Sequence, residues 1–171
     1  MVGGSVMRPT REQWAMAMAV ETAKRATCLR RQVGCVLLNE RGHVLSTGYN
    51  GRPAGMPHCN EETKYVVNAG PKSGICYDYA CAGASSPSGT NLDACEAVHA
   101  EQNALLQCRD VYAIDACYAT TAPCITCIKL LMNTSCLHIY FLDDYPHAKA
   151  AEELWLRNRP DRTWVKMPCS A

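Results

Sequence analysis

The sequence predicts an α/β protein of three layers, α/β/α, in which helices cover both faces of a central mixed five-stranded sheet. Its 171 residues suffice for one domain with a hydrophobic core and are too few for two comfortable ones. The hydrophobic content of 48% is typical of a globular protein. Helix-like and strand-like segments alternate as α-β-β-α-β-α-β-α-β, which favours a layered sheet. We therefore expect one domain over residues 1–171, with its core at about 11–167.

The first elements are a helix and a strand pair. Thr10 and Gln13 have the spacing of a capping box, ahead of a helix that we expect to end near Thr27. Residues 33–39 and 43–49, VGCVLLN and HVLSTGY, have the composition of two strands joined by a short turn. This segment therefore predicts one helix followed by a hairpin.

Residues 50–94 interrupt the alternation. They are rich in Gly, Pro, Ser, Asn and Cys and have no sustained period, so we expect a long irregular loop that is either disordered or held in place by a bound group. Regular elements resume after it. Helices are expected at about 98–109, 125–134 and 148–158, and strands at about 115–120, 137–142 and 163–167.

Charge and hydropathy narrow the possible partners. The net charge of +1 gives no basic face for nucleic acid, and no apolar run reaches the ~18–20 residues of a membrane span. The first ten residues, MVGGSVMRPT, lack the apolar core of a signal peptide. We therefore expect a cytoplasmic protein that binds neither nucleic acid nor membranes.

Two short motifs carry side chains suited to a metal site. His99 and Glu101 stand where one helix is expected to begin, and Cys124 and Cys127 stand where the next begins, directly after Pro123. Cysteines three residues apart share one side of a helix, and the helix dipole at its start favours the thiolate that binds metal. If the two helix starts meet, His99, Cys124 and Cys127 supply three ligands and leave one position open, as in a catalytic zinc site.

Glu101 is predicted to move protons rather than to bind the metal. Zinc lowers the pKa of bound water from about 16 to about 7, and a carboxylate within reach can pass the released proton to a substrate. Alone, C-x-x-C could also be a redox dithiol or half of a zinc finger. The combination H-x-E … P-C-x-x-C is the signature of zinc deaminases and favours the catalytic interpretation.

Within that superfamily the sequence resembles the deoxycytidylate (dCMP) deaminases, especially those of bacteria and phages. The resemblance extends over about residues 11–167. It is carried by KRATCLRRQVGCVLL (24–38), STGYNGRPAGMPHC (46–59), PSGTNLDACEAVHAEQNALL (87–106), TTAPCITCIKLLMN (120–133) and FLDDYPH (141–147). GYNGxPxG followed by a cysteine is the most discriminating of these, because nucleoside, guanine and tRNA deaminases do not usually share it.

The resemblance implies a cytidine deaminase-like fold and the hydrolytic deamination of dCMP to dUMP, which releases ammonia and supplies dUMP for dTMP synthesis. Glu101 would protonate the pyrimidine ring nitrogen and later the leaving amine. The family also implies a homohexamer, activated by dCTP with Mg²⁺ and inhibited by dTTP, with the effector near the GYNGRPAG segment. Nucleotides are thus the expected partners.

The same resemblance implies substrate contacts. Asn50 matches an asparagine that contacts the nucleoside, Tyr145 matches a tyrosine near the pyrimidine, and Ala100 is a further expected contact. Asn50 could instead serve an Asn-Gly turn, and Tyr145 could be an ordinary loop aromatic. A phosphate needs cationic or helix-terminal partners, although most surface arginines hold no ligand. The phosphate candidates are Arg30 and Arg31, with Arg25 and Arg52 behind them.

A second, structural zinc is also implied by the resemblance. Three of its ligands would be Cys28, Cys59 and Cys95. Many relatives supply the fourth from an E-T-G-C run, whereas residues 62–64 of this chain read E-T-K and no cysteine follows there. Cys81 fits the spacing best and Cys76 is the second choice. Such a site would order the loop at 50–94; the alternative is a set of unrelated thiols.

Two rival functions stay open. One is another zinc deaminase, acting on dCTP, a 5-substituted dCMP, tRNA adenosine or a riboflavin precursor. The neutral charge argues against tRNA, and the GYNG segment argues against riboflavin chemistry. The other is a catalytically silent zinc protein that binds nucleotides, against which the retained Glu101 argues. Whether Glu101→Gln abolishes turnover while metal and nucleotide still bind would separate an enzyme from a silent binding protein.

Overall fold

A mixed five-stranded sheet organises the protein. The computed structural model describes residues 7–67, 74–79, 81, 83–84 and 86–168. The helices are α1 (Arg11–Ala23), α2 (Ala100–Gln107), α3 (Ile125–Leu131) and α4 (Ala148–Leu156). The strands are β1 (Gly34–Leu38), β2 (Val44–Tyr49), β3 (Glu62–Val67), β4 (Gly74–Tyr79), β5 (Ala116–Thr121), β6 (His138–Asp143) and β7 (Thr163–Lys166).

The main sheet has the strand order β2-β1-β5-β6-β7. β1 is antiparallel to both β2 and β5, whereas β5, β6 and β7 run parallel. The predicted mixed five-stranded sheet is therefore confirmed. The parallel connections run through α3 and α4, which return the chain to the same end of the sheet each time.

Helices cover both faces, because successive strand residues point to opposite sides. On one face α1 packs against Val36, Leu38 and Tyr118. On the other face α2, α3 and α4 form the larger core. Its buried residues include Leu37, Ala104, Cys117, Ile128, Leu131, Ile139 and Trp155. The three-layer arrangement is thus confirmed, and it places the N-termini of α2 and α3 on one side of the sheet.

The helix at the start of the chain begins as the sequence predicts. Thr10 Oγ1 accepts from the N–H of Gln13, and Gln13 Oε1 accepts from the N–H of Thr10, which completes the capping box. The helix ends at Ala23 rather than near Thr27. Residue Lys24 forms the C-cap, so the helix is one turn shorter than predicted.

The prediction of an irregular loop at 50–94 is wrong in part. β3 and β4 lie inside it and pair antiparallel, with Glu62 opposite Tyr79 and Val67 opposite Gly74. Residues 62–67, ETKYVV, and 74–79, GICYDY, are rich in β-branched and aromatic residues that favour strands. Averaging composition over 45 residues concealed these two short segments.

Two glycines set how closely the helices approach the sheet. A Cβ on Gly34 would lie 2.0 Å from the carbonyl oxygen of Ala19 in α1. A Cβ on Gly48 would lie 2.2 Å from the carbonyl oxygen of Ala100 and 2.3 Å from the nitrogen of Ala104, both in α2. Only glycine permits these backbone contacts, so Gly48 fixes the distance between α2 and β2.

Replacement of Gly48 by alanine should destabilise the protein by at least about 2 kcal/mol, because α2 must move away from β2 to admit a methyl group. Chemical denaturation measures the loss. Gly51→Ala is the matched control, since its Cβ would meet only the Thr27 side-chain oxygen at 3.2 Å. An equal loss in both variants would contradict the close contact between α2 and β2.

Among the described residues, no helix is both long and apolar enough to cross a membrane.

Candidate active site

The starts of α2 and α3 bring three metal-binding side chains together. His99 is the N-cap of α2, Cys124 is the N-cap of α3, and Cys127 lies in its first turn. His99 Nδ1 is 3.4 Å from Cys124 Sγ and 3.5 Å from Cys127 Sγ, and the two sulfur atoms are 3.6 Å apart. Among the His, Cys, Asp and Glu side chains that the structure describes, these three form the group whose ligand atoms all lie within 4.8 Å of one another.

This donor set fits zinc. Tetrahedral zinc takes sulfur at about 2.3 Å and imidazole nitrogen at about 2.0 Å, which puts neighbouring ligand atoms about 3.5–3.8 Å apart. The three observed separations of 3.4–3.6 Å are close to those values. One nitrogen and two sulfur ligands leave a fourth position, as catalytic zinc sites require.

Neighbouring backbone contacts hold the two helix starts. Before α2, Val98 pairs with Gly51 through both of their N–H and carbonyl groups. The N–H of His99 donates to Gln102 Oε1 at 2.8 Å. Before α3, the N–H of Ala122 donates to the carbonyl of Asp143 at the end of β6. The ligand positions are thus set by the sheet and by backbone pairing.

The two thiols differ in their protonation. The hydrogen bond between the Cys124 and Cys127 side chains lowers the pKa of Cys124 to about 4, and His99 and the backbone N–H of Cys127 act in the same direction. The same hydrogen bond, together with burial, raises the pKa of Cys127 well above its usual value. The hydrogen bond to Cys124 also raises the pKa of His99. The surroundings of Cys124 therefore favour its thiolate, the form that binds metal.

Glu101 lies next to this group, where its carboxyl group hydrogen bonds with Cys127 and is near His99. It is buried, with 4% of its surface exposed. Burial raises its pKa, and the nearby His99 acts in the opposite direction. A carboxyl group whose pKa is raised towards neutral can both accept and donate a proton, which suits general acid–base catalysis.

A pocket of about 570 Å³, counted to its open mouth, leads to these residues. His99, Glu101 and Cys124 line it. It is also lined by every substrate contact expected from the sequence: Arg30, Arg31, Asn50, Ala100 and Tyr145. The two reserve candidates lie outside it. Arg25 stacks over Tyr49, and Arg52 pairs with Glu96 at 2.5 Å.

Asn50 has both ends of its amide engaged by the backbone. Its Oδ1 accepts from the N–H of Val33 and its Nδ2 donates to the carbonyl of Arg31, each at 2.8 Å. Asn50 therefore orients the segment that carries Arg31, in addition to lining the pocket. Its amide keeps one further donor and one lone pair, because each end has capacity for two bonds.

Arg30 and Arg31 bind carbonyl groups rather than carboxylates. Arg30 Nη1 donates to the carbonyl of Thr90 at 2.7 Å, and Arg31 Nη1 donates to the carbonyl of Asp144 at 3.1 Å. Neither forms an ion pair within the described part of the chain. Two pocket arginines without a counter-ion suit an anionic ligand.

Tyr145 lies close enough to the metal-binding group for the charge of that group to affect the pKa of its hydroxyl. Burial raises the pKa of its hydroxyl, and the charge of Cys124 contributes in the same direction. The loop between β6 and α4 carries this residue into the pocket lining, next to Asp144, whose carbonyl accepts from Arg31. An aromatic ring in this position provides a flat surface for a planar base.

The cysteines expected at a second zinc lie in two places. Cys59 and Cys81 are buried and hydrogen bond to each other, and Cys28 is near enough to act on Cys59 by its charge. Burial, followed by these neighbours, raises the pKa of Cys59 to about 11. Cys28 and Cys95 line the pocket. The side chain of the second choice, Cys76, lies outside the described residues.

Sequence reasoning missed several pocket residues. Thr121 precedes the Ala122-Pro123-Cys124 run, so its place beside the ligands could have been read from the motif. Ser88 and Gly89 also line the pocket, but they reach it through a contact with Arg30, which lies 57–60 residues earlier. No local pattern signals a contact of that range.

Comparisons with known proteins agree with this geometry. The family model described as the cytidine and deoxycytidylate deaminase zinc-binding region matches residues 9–143. The deoxycytidylate deaminase of Schizosaccharomyces pombe is 43% identical over 123 residues, and that of Mycobacterium phage D29 is 38% identical over 125 residues. These segments are 70% and 72% of this chain.

Lengths differ among these relatives. The matched segment is 33% of the S. pombe protein and 88% of the phage protein. A crystal structure of dCMP deaminase from the cyanophage S-TIM5, in complex with dCMP and dUMP, matches with a TM-score of 0.65 at 21% identity. The match covers 94% of this chain and 99% of that one, and it confirms the predicted cytidine deaminase-like fold. The chain belongs to the zinc-binding family of cytidine and deoxycytidylate deaminases.

Proposed function

We propose that the protein deaminates dCMP to dUMP by hydrolysis and releases ammonia. The observation that carries the proposal is one pocket that holds a zinc-type donor set, a buried glutamate and two arginines without carboxylate partners. The donor set and the glutamate suit hydrolytic deamination, and the arginines suit a nucleotide phosphate. The relatives named deoxycytidylate deaminase support the same substrate.

His99, Cys124 and Cys127 would hold the zinc ion. When bound, it would supply the activation of water that hydrolysis at neutral pH requires. Glu101 would accept the proton of that water and deliver it to N3 of the pyrimidine, then assist the departure of the amino group as ammonia. Overall the oxygen of water becomes the new oxygen on C4, one of its protons ends on N3, and the other leaves with the amino group as ammonia.

Binding and orientation of the nucleotide would fall to the other pocket residues. Arg30 and Arg31 would bind the phosphate with the N–H groups that their carbonyl contacts leave free, because a guanidinium has five donors. Asn50 and Ala100 would contact the nucleoside. Tyr145 would lie against the pyrimidine ring, where its apolar surface also limits access of bulk water.

Ammonia release tests the proposal. The zinc-loaded protein should convert dCMP faster than dCTP, deoxycytidine, CMP or 5-methyl-dCMP, each assayed alone. Preference for dCTP or for the 5-substituted nucleotide would replace the proposed substrate while leaving the reaction type intact. Absence of turnover with every one of them, in protein shown to contain zinc, would contradict the proposed function.

A second zinc is part of the same proposal, with Cys28, Cys59, Cys81 and Cys95 as its ligands. The Cys59 and Cys81 thiols meet at the base of the β3–β4 hairpin, just before one strand and just after the other. A two-stranded hairpin is marginally stable alone, and β3 and β4 pack chiefly on each other among the described elements. A metal at this base would stabilise the hairpin.

Zinc analysis should therefore give two ions per chain. Cys59→Ser should lower the content to one and decrease thermal stability, since a structural site loses a ligand. Cys108→Ser is the matched control, because Cys108 Sγ donates to the carbonyl of Asp110 and is not an expected zinc ligand. This variant should keep both ions. One zinc in the unmodified protein would remove the second site from the account.

The regulatory expectations rest on the family resemblance alone. We propose a homohexamer in the cytoplasm that dCTP with Mg²⁺ activates and dTTP inhibits. The GYNGRPAG segment, which is similar to the stretch that relatives use near the effector, supports it. Sigmoidal dCMP kinetics that become hyperbolic with dCTP would agree, and hyperbolic kinetics unaffected by either nucleotide would contradict it.

A further inference from the structure

Two loops that contribute residues to the pocket lining touch each other. In the first, the N–H of Thr90 donates to the carbonyl of Pro87, and Gly89 has φ +81° at the third position of this tight turn. The second loop joins β6 to α4 and contains Tyr145 and Pro146. A Cβ on Gly89 would lie 2.9 Å from Cγ and 3.0 Å from Cβ of Pro146, so the two loops are in direct contact there.

Each loop is also tied to one of the two pocket arginines. Arg30 Nη1 donates to two carbonyl groups of the first loop, that of Thr90 at 2.7 Å and that of Pro87 at 3.5 Å. Arg31 Nη1 donates to the carbonyl of Asp144 at 3.1 Å, in the second loop, and more weakly to Thr121 Oγ1 at 3.5 Å, at the end of β5. The two arginines are consecutive in the chain, and the two loops that they hold touch each other. A closed ring of contacts therefore runs from Arg30 through the first loop, the second loop and Arg31 back to Arg30.

We infer that the contact between Gly89 and Pro146 positions Arg30 and Arg31 for a nucleotide phosphate. The inference rests on the proposed function. Each guanidinium uses Nη1 to hold its loop and keeps its other N–H groups for a ligand. While the loops touch, the two arginines are held at one separation, and the phosphate does not have to organise them. Gly89 and Pro146 act through the arginines and are positioning residues.

Gly89→Ala tests this contact. The added methyl group must displace Pro146, which separates the loops and moves each arginine with its loop. We expect KM for dCMP to rise by about tenfold or more while kcat stays within about threefold, since the zinc-binding group and Glu101 are untouched. Inhibition by inorganic phosphate should weaken by a similar factor. Turnover of deoxycytidine, which has no phosphate, should fall much less than turnover of dCMP.

The partner substitution makes the test specific. Pro146→Gly removes both atoms that the new methyl group would meet, so Gly89→Ala/Pro146→Gly should regain most of the dCMP affinity lost in Gly89→Ala. Pro146→Gly alone should raise KM for dCMP by only about threefold. Gly42→Ala is the control for backbone strain: Gly42 has φ +79° and the same 2.9 Å clearance, but to a flexible Arg11 side chain outside the pocket.

Three results would overturn the inference: an unchanged KM in Gly89→Ala, an equal loss with dCMP and with phosphate-free deoxycytidine, or no recovery in the double variant. The melting temperature of Gly89→Ala, compared with that of Gly42→Ala, shows whether the variant folds. If it does not fold, unchanged inhibition by phosphate in Pro146→Gly would overturn the inference as well. Failure of the proposed function has a different signature, because the unmodified protein would then not turn over dCMP.

Discussion

Replacement of Glu101 by glutamine should reduce turnover of dCMP by about a thousandfold or more, with zinc content and nucleotide binding close to those of the unmodified protein. Glutamine has nearly the same size, so the buried position stays filled, but its amide cannot accept and return a proton. Because Glu101 is 4% exposed, bulk water has little access to replace it. Ammonia release, zinc analysis and dUMP binding measure the three quantities.

The control for this substitution is Glu21→Gln, which makes the same chemical change on an exposed part of α1 beside Lys24. It should leave turnover unchanged. Retention of more than about a tenth of the activity in Glu101→Gln would mean that another group moves the proton, and the assignment of Glu101 would be wrong.

Substitution of Cys124 by serine should remove the active-site zinc and all detectable turnover. Serine binds zinc far less well than a thiolate, and Cys124 carries the thiolate that its neighbours stabilise at neutral pH. Zinc content should fall by one ion per chain, whereas Cys108→Ser should keep the full content. Full zinc content together with activity in Cys124→Ser would contradict the proposed ligand set.

Acidification should release the same ion from the unmodified protein. Metal binding requires deprotonated ligands, and the pKa values of His99 and Cys127 are both raised. Protons therefore compete more strongly as pH falls, and zinc affinity should rise steadily with pH across the neutral range.

The metal-binding group was predictable because its information is local. H-x-E and P-C-x-x-C each mark a helix start, and an α/β fold with parallel strands brings such starts to one edge of the sheet. The capping box of Thr10 and Gln13 is local in the same sense. Short-range patterns of this kind survive folding because few distant contacts can alter them.

Other features depended on distant partners and were not predictable. Arg52 was a phosphate candidate, but it forms an ion pair with Glu96, whereas Arg30 and Arg31 contact only uncharged oxygens among the described residues and remain able to bind an anion. Nothing in the sequence around these arginines distinguishes them. The contact of Gly89 with Pro146 similarly joins residues 57 positions apart, and only the folded chain reveals it.

Zinc-dependent ammonia release from dCMP tests the central claim most directly. The protein is assayed as isolated, after removal of metal by a chelator, and after zinc is added back. The proposed function predicts turnover that disappears with the metal and returns with zinc but not with Mg²⁺ alone. Turnover that persists in protein shown to be free of zinc, or none after zinc is restored to the site, would contradict it.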